Sequence, residues 1–278
     1  MTLLAGLCLG GPLRVSAQNA AVTNQGTTPV PVEAKAKETA PSAPKAVDAE
    51  AEKEAEKKDA EPGGTKLLGA KGLEAFYTWI EGAGVFFDPK GVFSIEDGVL
   101  RISGESLGYL ATREQHSDFR LVAEFKWGQA KTGLGSKKAG SSGLFIHGVG
   151  EDKEWMRGFE AQIAPGRTGN VVIHSGARFM VGTTNHSKPW TEIGVPDREL
   201  EAKTGEWNTL EVFAVGDKLR VLVNGQQTVE ATSLMPNRGK ILLQSNGAEI
   251  FFRRLDLYPL AKMPEVPAQA AAVKSAAP

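Results

Sequence analysis

The sequence predicts an all-β sandwich of two antiparallel sheets, and three observations predict it. Between roughly Lys66 and Leu260, short apolar runs alternate with polar residues at period 2, the mark of half-buried strands. Glycine is frequent in the same region, and Asn-Gly and Gly-Asp pairs sit between the runs where tight turns need them. No helical period of any length runs through it; only Leu68 to Ile80 hints at a short helix.

The elements follow in order. In Phe119 to Trp127, one parity carries Phe119, Leu121, Ala123, Phe125 and Trp127, and the other carries Arg120, Val122, Glu124 and Lys126. One apolar face at period 2 means a strand covering a core. Leu210–Val215, the turn Gly216-Asp217 and Leu219–Val223 read as a hairpin. Asn224-Gly225 accepts positive φ at both positions and turns the chain into a returning strand, Gln226 to Ala231. Lys240–Gln244 and Glu249–Leu257, joined around Asn246-Gly247, close the domain. Trp207 reads as core, and Asn208 as a structural hydrogen bonder at a strand start.

The flanks differ in kind. Leu3 to Leu13 is an apolar run followed by Val15-Ser16-Ala17, a small-residue cleavage pattern, so residues 1–17 read as a signal peptide. The run is too short for a bilayer, which needs about 20 apolar residues. The single cysteine, Cys8, lies within it. Residues 18–64 are Ala, Pro, Thr, Glu and Lys with few large apolar side chains, a linker unable to offset its ordering entropy. The sandwich then occupies 65–261, and 262–278 form an Ala/Pro/Val tail. Secretion or a periplasmic location is expected. A formal net charge of −1, with basic residues interleaved with acid, gives no reason to expect nucleic acid as a partner. No membrane span is expected, and the sequence sets no oligomeric state.

An ordered set of short strings carries a family resemblance. Val92 to Gly104, Gly108-Tyr-Leu-Ala-Thr112, Asp118 to Trp127, Ser142-Gly-Leu-Phe-Ile-His147 and Glu160-Ala-Gln-Ile163 come first. Gly205-Glu-Trp-Asn208, Val223-Asn-Gly225, Gly239 to Gln244 and Ala248 to Arg253 complete it. From about Phe76 to Leu260 the chain resembles the 3-keto-disaccharide hydrolase family, also described as 3-keto-glucoside 1,2-lyases and 3-keto-2-hydroxyglucal hydratases. The resemblance implies a concanavalin-like jelly roll with one curved sheet open for sugar, and action on 3-keto-glycosides by elimination and hydration. It also implies a carbohydrate partner. The chain departs from the family pattern at Ser141, where Asn or Asp is frequent. It departs again at Ala164 and Asn246, where many members carry Asp and His.

Removing the acidified proton at carbon 2 of a 3-keto sugar needs a general base, and the enolate oxygen needs a donor or electrophile. Glu160 is the leading base. In Phe159 to Ile163 it shares one strand face with Gln162, while Phe159, Ala161 and Ile163 share the other. His147, ending Gly143 to His147, is expected beside Glu160 if the two strands pair, as an acid–base partner. Expected substrate contacts are Gln162, Trp155 and Arg157 in the loop before Glu160, His174, Gln244 and Asn246. Trp155 either stacks on a sugar or packs on the sandwich, and Asn246 before Gly247 also reads as a turn residue. A divalent metal is a possible cofactor, held by His147, Glu160 and His174, although no close-spaced ligand motif points to one. His116 and His186 carry no assigned role. Gly133 to Gly143, with Lys137 and Lys138, reads as a loop able to fold over a ligand. A lectin-like binding module without catalysis, or a structural envelope protein, would use the same sandwich.

Overall fold

In the computed structural model, residues 63–69, 72–128, 140–194 and 200–265 are described. The expected signal peptide, nearly all of the linker, the end of the tail and Lys137 and Lys138 lie outside the described residues.

The described residues form two antiparallel sheets packed as a jelly-roll sandwich, with no helix. The ten-stranded sheet runs β12 (Thr184–His186), β11 (Arg178–Val181), β16 (Gln226–Met235), β15 (Lys218–Val223), β14 (Asn208–Val215), β7 (Phe119–Trp127), β18 (Ile250–Pro259), β5 (Val99–Ile102) and β4 (Phe93–Glu96), with β1 (Thr65–Lys66) paired to β18. The eight-stranded sheet runs β13 (Glu192–Ile193), β10 (Val171–His174), β9 (Arg157–Ile163), β8 (Ser142–Val149), β17 (Lys240–Ser245), β6 (Gly108–Thr112), β2 (Phe76–Ile80) and β3 (Gly84–Val85). Strands distant in sequence lie side by side: β17 between β6 and β8, and β18 between β7 and β5. The hairpin β14–β15 and its continuation into β16 match the turns expected at Gly216-Asp217 and Asn224-Gly225.

The expected short helix at Leu68–Ile80 does not form. Phe76-Tyr-Thr-Trp-Ile80 is strand β2 instead. Aromatic and β-branched side chains suit a pleated surface, and alternation buries Phe76 and Ile80 in the core. Between the sheets, Phe119, Leu121, Ala123 and Phe125 meet Leu144, Ile146, Phe159, Ile163, Ile241 and Leu243 in one core. The parity read from Phe119 to Trp127 is the parity observed, with Trp127 only partly buried against that core.

The outer face of the ten-stranded sheet is covered by ion pairs and cation–π contacts. Arg120 pairs with Glu211 at 2.7 Å, and Arg253 with Glu124 at 2.5 Å. Trp207, expected in the core, instead lies under Lys126 at 4.7 Å and Arg253 at 4.6 Å. It precedes β14, where cations from β7 and β18 can reach the ring. Asn208 is buried and ties the strand start as expected, its Oδ1 accepting from Ala202 N at 2.7 Å.

His147 corrects an expectation. β8 and β9 do pair, but their register shifts between Ile146 and Val149, and His147 takes φ = 53° within that irregularity. The bulge re-aims the side chain. Its ring meets the core residue Phe119 edge-on at 5.8 Å, and Phe145, not His147, stands opposite Glu160. Among the described residues neither ring nitrogen has a hydrogen-bond partner at proper geometry, and the residue is buried. Burial pushes its pKa down to about 4, with the Pro236 backbone and Asp118 pulling weakly the other way.

A folded-state pKa below the unfolded value makes stability fall as pH drops from about 6.5 towards 4, because only the unfolded chain takes up the proton there. A shift of this size corresponds to about 3 kcal/mol lost across that window. Urea unfolding of wild type and His147→Phe at pH 7 and pH 4.5 measures it. The acid loss should shrink in the variant, and an equal loss in both would contradict the assignment.

Candidate functional site

The outer face of the eight-stranded sheet carries side chains of another kind. Its cross-strand pairs form two ladders. The first runs Tyr77, Ala111, Leu242, Phe145, Glu160 and Val172. The second runs Trp79, Tyr109 and Gln244, then Gly143 opposite Gln162. Leu243 pairs with Leu144, which sets Gln244 beside Gly143. Alternation in β9 is as expected: Phe159, Ala161 and Ile163 enter the core, and Glu160 and Gln162 point away from it.

Glu160 meets His174, not His147. His174 Nε2 lies 2.7 Å from Glu160 Oε2, and their side chains are 1% and 5% exposed. His174 pairs with Gly158 across β9 and β10, two residues along from the Val172–Glu160 pair, so the contact is diagonal. The other carboxylate oxygen is also engaged. With its amide oriented by the polarity of its neighbours, Gln162 Nε2 donates to Glu160 Oε1 and to the Ser142 carbonyl, each at 3.0 Å. Gly143 makes the room. A Cβ there would stand 2.1 Å from Glu160 Oε1 and 2.6 Å from its Cγ. Absence of a side chain lets the carboxylate lean over the neighbouring strand.

Aromatic rings cover the pair. Trp155 stacks on His174 at 5.0 Å and 5°, and Phe145 lies against the imidazole at 5.2 Å. Trp190, 59% exposed and at φ = 67°, stands edge-on to both Trp155 and His174 at 4.9 Å. His174 Nδ1 is buried with no hydrogen-bond partner among the described residues.

Trp155 sits in a strap between β8 and β9 that is fastened at two points. Asp152 Oδ1 accepts from the Tyr77 hydroxyl at 2.5 Å and from the Tyr109 hydroxyl at 2.7 Å. Ser175 Oγ donates to the Trp155 carbonyl at 2.8 Å. Lys240 Nζ donates to the Tyr77 oxygen at 2.7 Å and lies over that ring at 4.3 Å. Burial pushes both phenols above the usual tyrosine range, and the hydrogen bonds to Asp152 push the same way. Both tyrosines therefore stay protonated donors at neutral pH, which is what the Asp152 fastening needs.

The remaining expected residues fall in mixed places. Arg157, expected in a loop, begins β9, and its Nε is buried without a partner among the described residues. Gln244 lies on the same face as Glu160, its Oε1 buried with no partner among the described residues. Asn246 serves structure: its Nδ2 donates to Ser141 Oγ at 2.9 Å and its carbonyl accepts from Ser141 N at 3.0 Å. Ala164 is buried after β9, its N and O both bonded to Thr168 Oγ1. The His147, Glu160 and His174 set is not assembled, because His147 turns into the core. Among the described residues, no group of three or more His, Cys, Asp or Glu is placed to hold a metal ion.

Sequence reasoning missed Asp152, Tyr77, Tyr109, Trp79, Lys240 and Trp190. The helix-like reading of Leu68 to Ile80 hid the strand that carries Tyr77 and Trp79. Asp152 sits in Glu151-Asp-Lys-Glu154, which looks like any solvated loop. Gly108 to Thr112 shows no clear polar–apolar alternation, so the string gave Tyr109 no place on either face.

Comparison with known proteins gives a family match. Residues 55–257 match the model of the 3-keto-alpha-glucoside-1,2-lyase-like domain. Among solved structures, a candidate glycosyl hydrolase from Parabacteroides distasonis is 20% identical, with a TM-score of 0.49 over 72% of this chain and 100% of that one. A second P. distasonis structure of the same description is 20% identical, with a TM-score of 0.49 over 75% of this chain and 96% of that one. The carbohydrate-binding module CBM66 from Bacillus subtilis is 11% identical, with a TM-score of 0.41 over 59% of this chain and 89% of that one. No curated protein sequence matches.

The close approach at Gly143 is testable by a double-mutant cycle. Gly143→Ala should cost about 3 kcal/mol in wild type, the scale of breaking a buried charge pair. In a Glu160→Ala background, where the new Cβ meets no carboxylate, the same substitution should cost less than about 0.5 kcal/mol, the scatter of additive sites. Equal costs in both backgrounds, measured by denaturant unfolding, would show that Gly143 does not make room for Glu160.

Proposed function

The chain belongs to the 3-keto-alpha-glucoside-1,2-lyase-like family, and from that membership we propose that it acts on 3-keto-glycosides outside the cytoplasm by elimination and hydration, with net hydrolysis. One observation carries the reading. The Glu160 carboxylate lies on the outer face of the eight-stranded sheet, held at both oxygens by His174 and Gln162, instead of in the core.

The chemistry assigns work to each group. The ketone at carbon 3 acidifies the proton at carbon 2, and Glu160 takes that proton as general base. The electron pair from the broken C2–H bond forms the C1–C2 double bond as the C1–O bond breaks. The departing alkoxide takes a proton and leaves as an alcohol. Water then adds at carbon 1, and a proton returns to carbon 2. His174, bonded to Glu160 through Nε2, orients the carboxylate and shares its proton. Gln162 fixes the second oxygen, so the base is preorganised.

Glu160 retains only 4% of its surface exposed, so substrate entry requires part of the aromatic cover to yield. Trp190, already exposed, is the part of that cover that moves, while Trp155 stays on its fastened strap. Enclosing the base excludes water during proton transfer. Residues 1–17 serve export and 18–64 act as the spacer that presents the sandwich.

Ala164 and Asn246 favour a second reading, a carbohydrate-binding module without catalysis, because neither supplies the carboxylate or the imidazole that many family members carry at those places. Incubation of the purified protein with 3-keto-trehalose separates the two. Turnover is expected in wild type and should fall at least tenfold in Glu160→Gln, within the range of roughly 10² to 10⁴ typical of a lost general base. Full activity in the variant discards Glu160 as the base, and binding without turnover in wild type establishes the second reading.

A further inference from the structure

Resting on the proposed role of Glu160, we propose that Asp152 is a positioning residue for that base: it holds Trp155 flat on His174 and so fixes the imidazole that orients the carboxylate. Asp152 touches no reacting atom and acts through the strap.

The need for such a device comes from His174. An imidazole in acid–base work is commonly oriented by a hydrogen bond at its second nitrogen. His174 Nε2 meets Glu160 at 2.7 Å, and Nδ1 has no partner among the described residues. A single contact at one nitrogen does not fix the plane of the ring, so the rings packed on it must. Phe145 lies against the imidazole at 5.2 Å with a tilt of 34°, and Trp155 lies nearly parallel to it at 5.0 Å and 5°. Phe145 belongs to β8 and is placed by the sheet. Trp155 precedes β9 and lies in no strand, so its place depends on what holds the strap.

Asp152 is the hold. Tyr77 on β2 and Tyr109 on β6 donate to the same oxygen, Oδ1, at 2.5 and 2.7 Å. Hydrogen bonds are directional, so two donors from neighbouring strands converging on one atom define its place over the sheet. Lys240 Nζ, a donor only, occupies the Tyr77 oxygen at 2.7 Å and leaves the phenol proton directed at Asp152. Asp152 and Trp155 are three residues apart, at most about 11 Å of extended chain, so a fixed carboxylate limits where the indole can go. At the other end Ser175, next to His174 in sequence, donates to the Trp155 carbonyl at 2.8 Å. Met156 is buried with Tyr77, Tyr109, Phe145 and Leu242. Apolar packing by Met156 keeps the strap on the sheet, and the bonds to Asp152 set where on the sheet it lies. Loss of Asp152 then loosens Trp155 without unfolding the domain.

Two measurements on wild type, Asp152→Ala and Asp152→Asn test this; Asn keeps an oxygen able to accept from both hydroxyls. The first follows, by NMR, exchange with water of the proton shared by His174 Nε2 and Glu160. It should be slow in wild type. In Asp152→Ala it should quicken at least about tenfold more than the core amides of Leu121 and Ala123, because only a local opening is eased. The second is turnover of 3-keto-trehalose. Asp152→Ala should lower kcat about tenfold, the scale of a small misplacement of a reacting group, and move KM less than about twofold. Asp152→Asn should recover most of both losses. Equal quickening of the His174 proton and the core amides, or an unchanged kcat in Asp152→Ala, overturns the positioning role and leaves Glu160 as the base. A His174 proton already in fast exchange in wild type overturns it likewise. A wild type that protects this proton yet turns nothing over overturns the proposal together with the reading of Glu160 beneath it.

Discussion

The Glu160–His174 pair is the interaction on which the rest of the site depends. Two ionisable groups, together almost without exposed surface, stand 2.7 Å apart on the outer face of a sheet. Taking such groups out of water is costly unless the carboxylate oxygens are engaged and the surroundings are fixed. The neighbouring residues meet that demand. Gly143 vacates the space the carboxylate fills, Gln162 bonds its second oxygen, and Trp155 lies flat on the imidazole. Asp152 holds the strap carrying Trp155 by accepting from tyrosines on two strands. Remove the pair and these features lose their common purpose.

The two sheets have divided their labour by what covers their outer faces. On the ten-stranded sheet, arginines and carboxylates pair across neighbouring strands and lie over Trp207, Phe213 and Tyr258. Such ladders shield a sheet face and give modest stability. On the eight-stranded sheet, aromatic rings and amides replace them, and Gln244 Oε1 and His174 Nδ1 have no partner among the described residues. An unpaired buried polar atom calls for an explanation, and the proposed function supplies one for these two, a ligand on that face.

Much of this was legible in the residues, and what was not has a physical cause. Alternation in Phe159 to Ile163 placed Glu160 and Gln162 together on the face away from the core, because period 2 is a local property of any strand. The hairpins at Gly216-Asp217 and Asn224-Gly225 were equally local. His147 was misplaced because alternation carries no warning of a bulge, and one irregularity between Ile146 and Val149 sent its ring to Phe119. His174 as the partner of Glu160 depended on the register of β9 with β10, which no short string encodes. The Asp152 network joins residues 75 positions apart, Tyr77 and Asp152, and such a contact belongs to topology alone. Phe76 to Ile80 was hidden by a weak helical spacing, against which its aromatic and β-branched content was the better guide.

The most direct test of Glu160 as the base that opens the elimination is hydrogen exchange at carbon 2. A 3-keto-glycoside incubated with the protein in deuterium oxide, followed by NMR, should acquire deuterium at carbon 2 in the released sugar. With Glu160→Gln, labelling should fall to the rate without protein. Labelling by the variant at the wild-type rate, or wild-type cleavage that leaves carbon 2 unlabelled, would contradict the account.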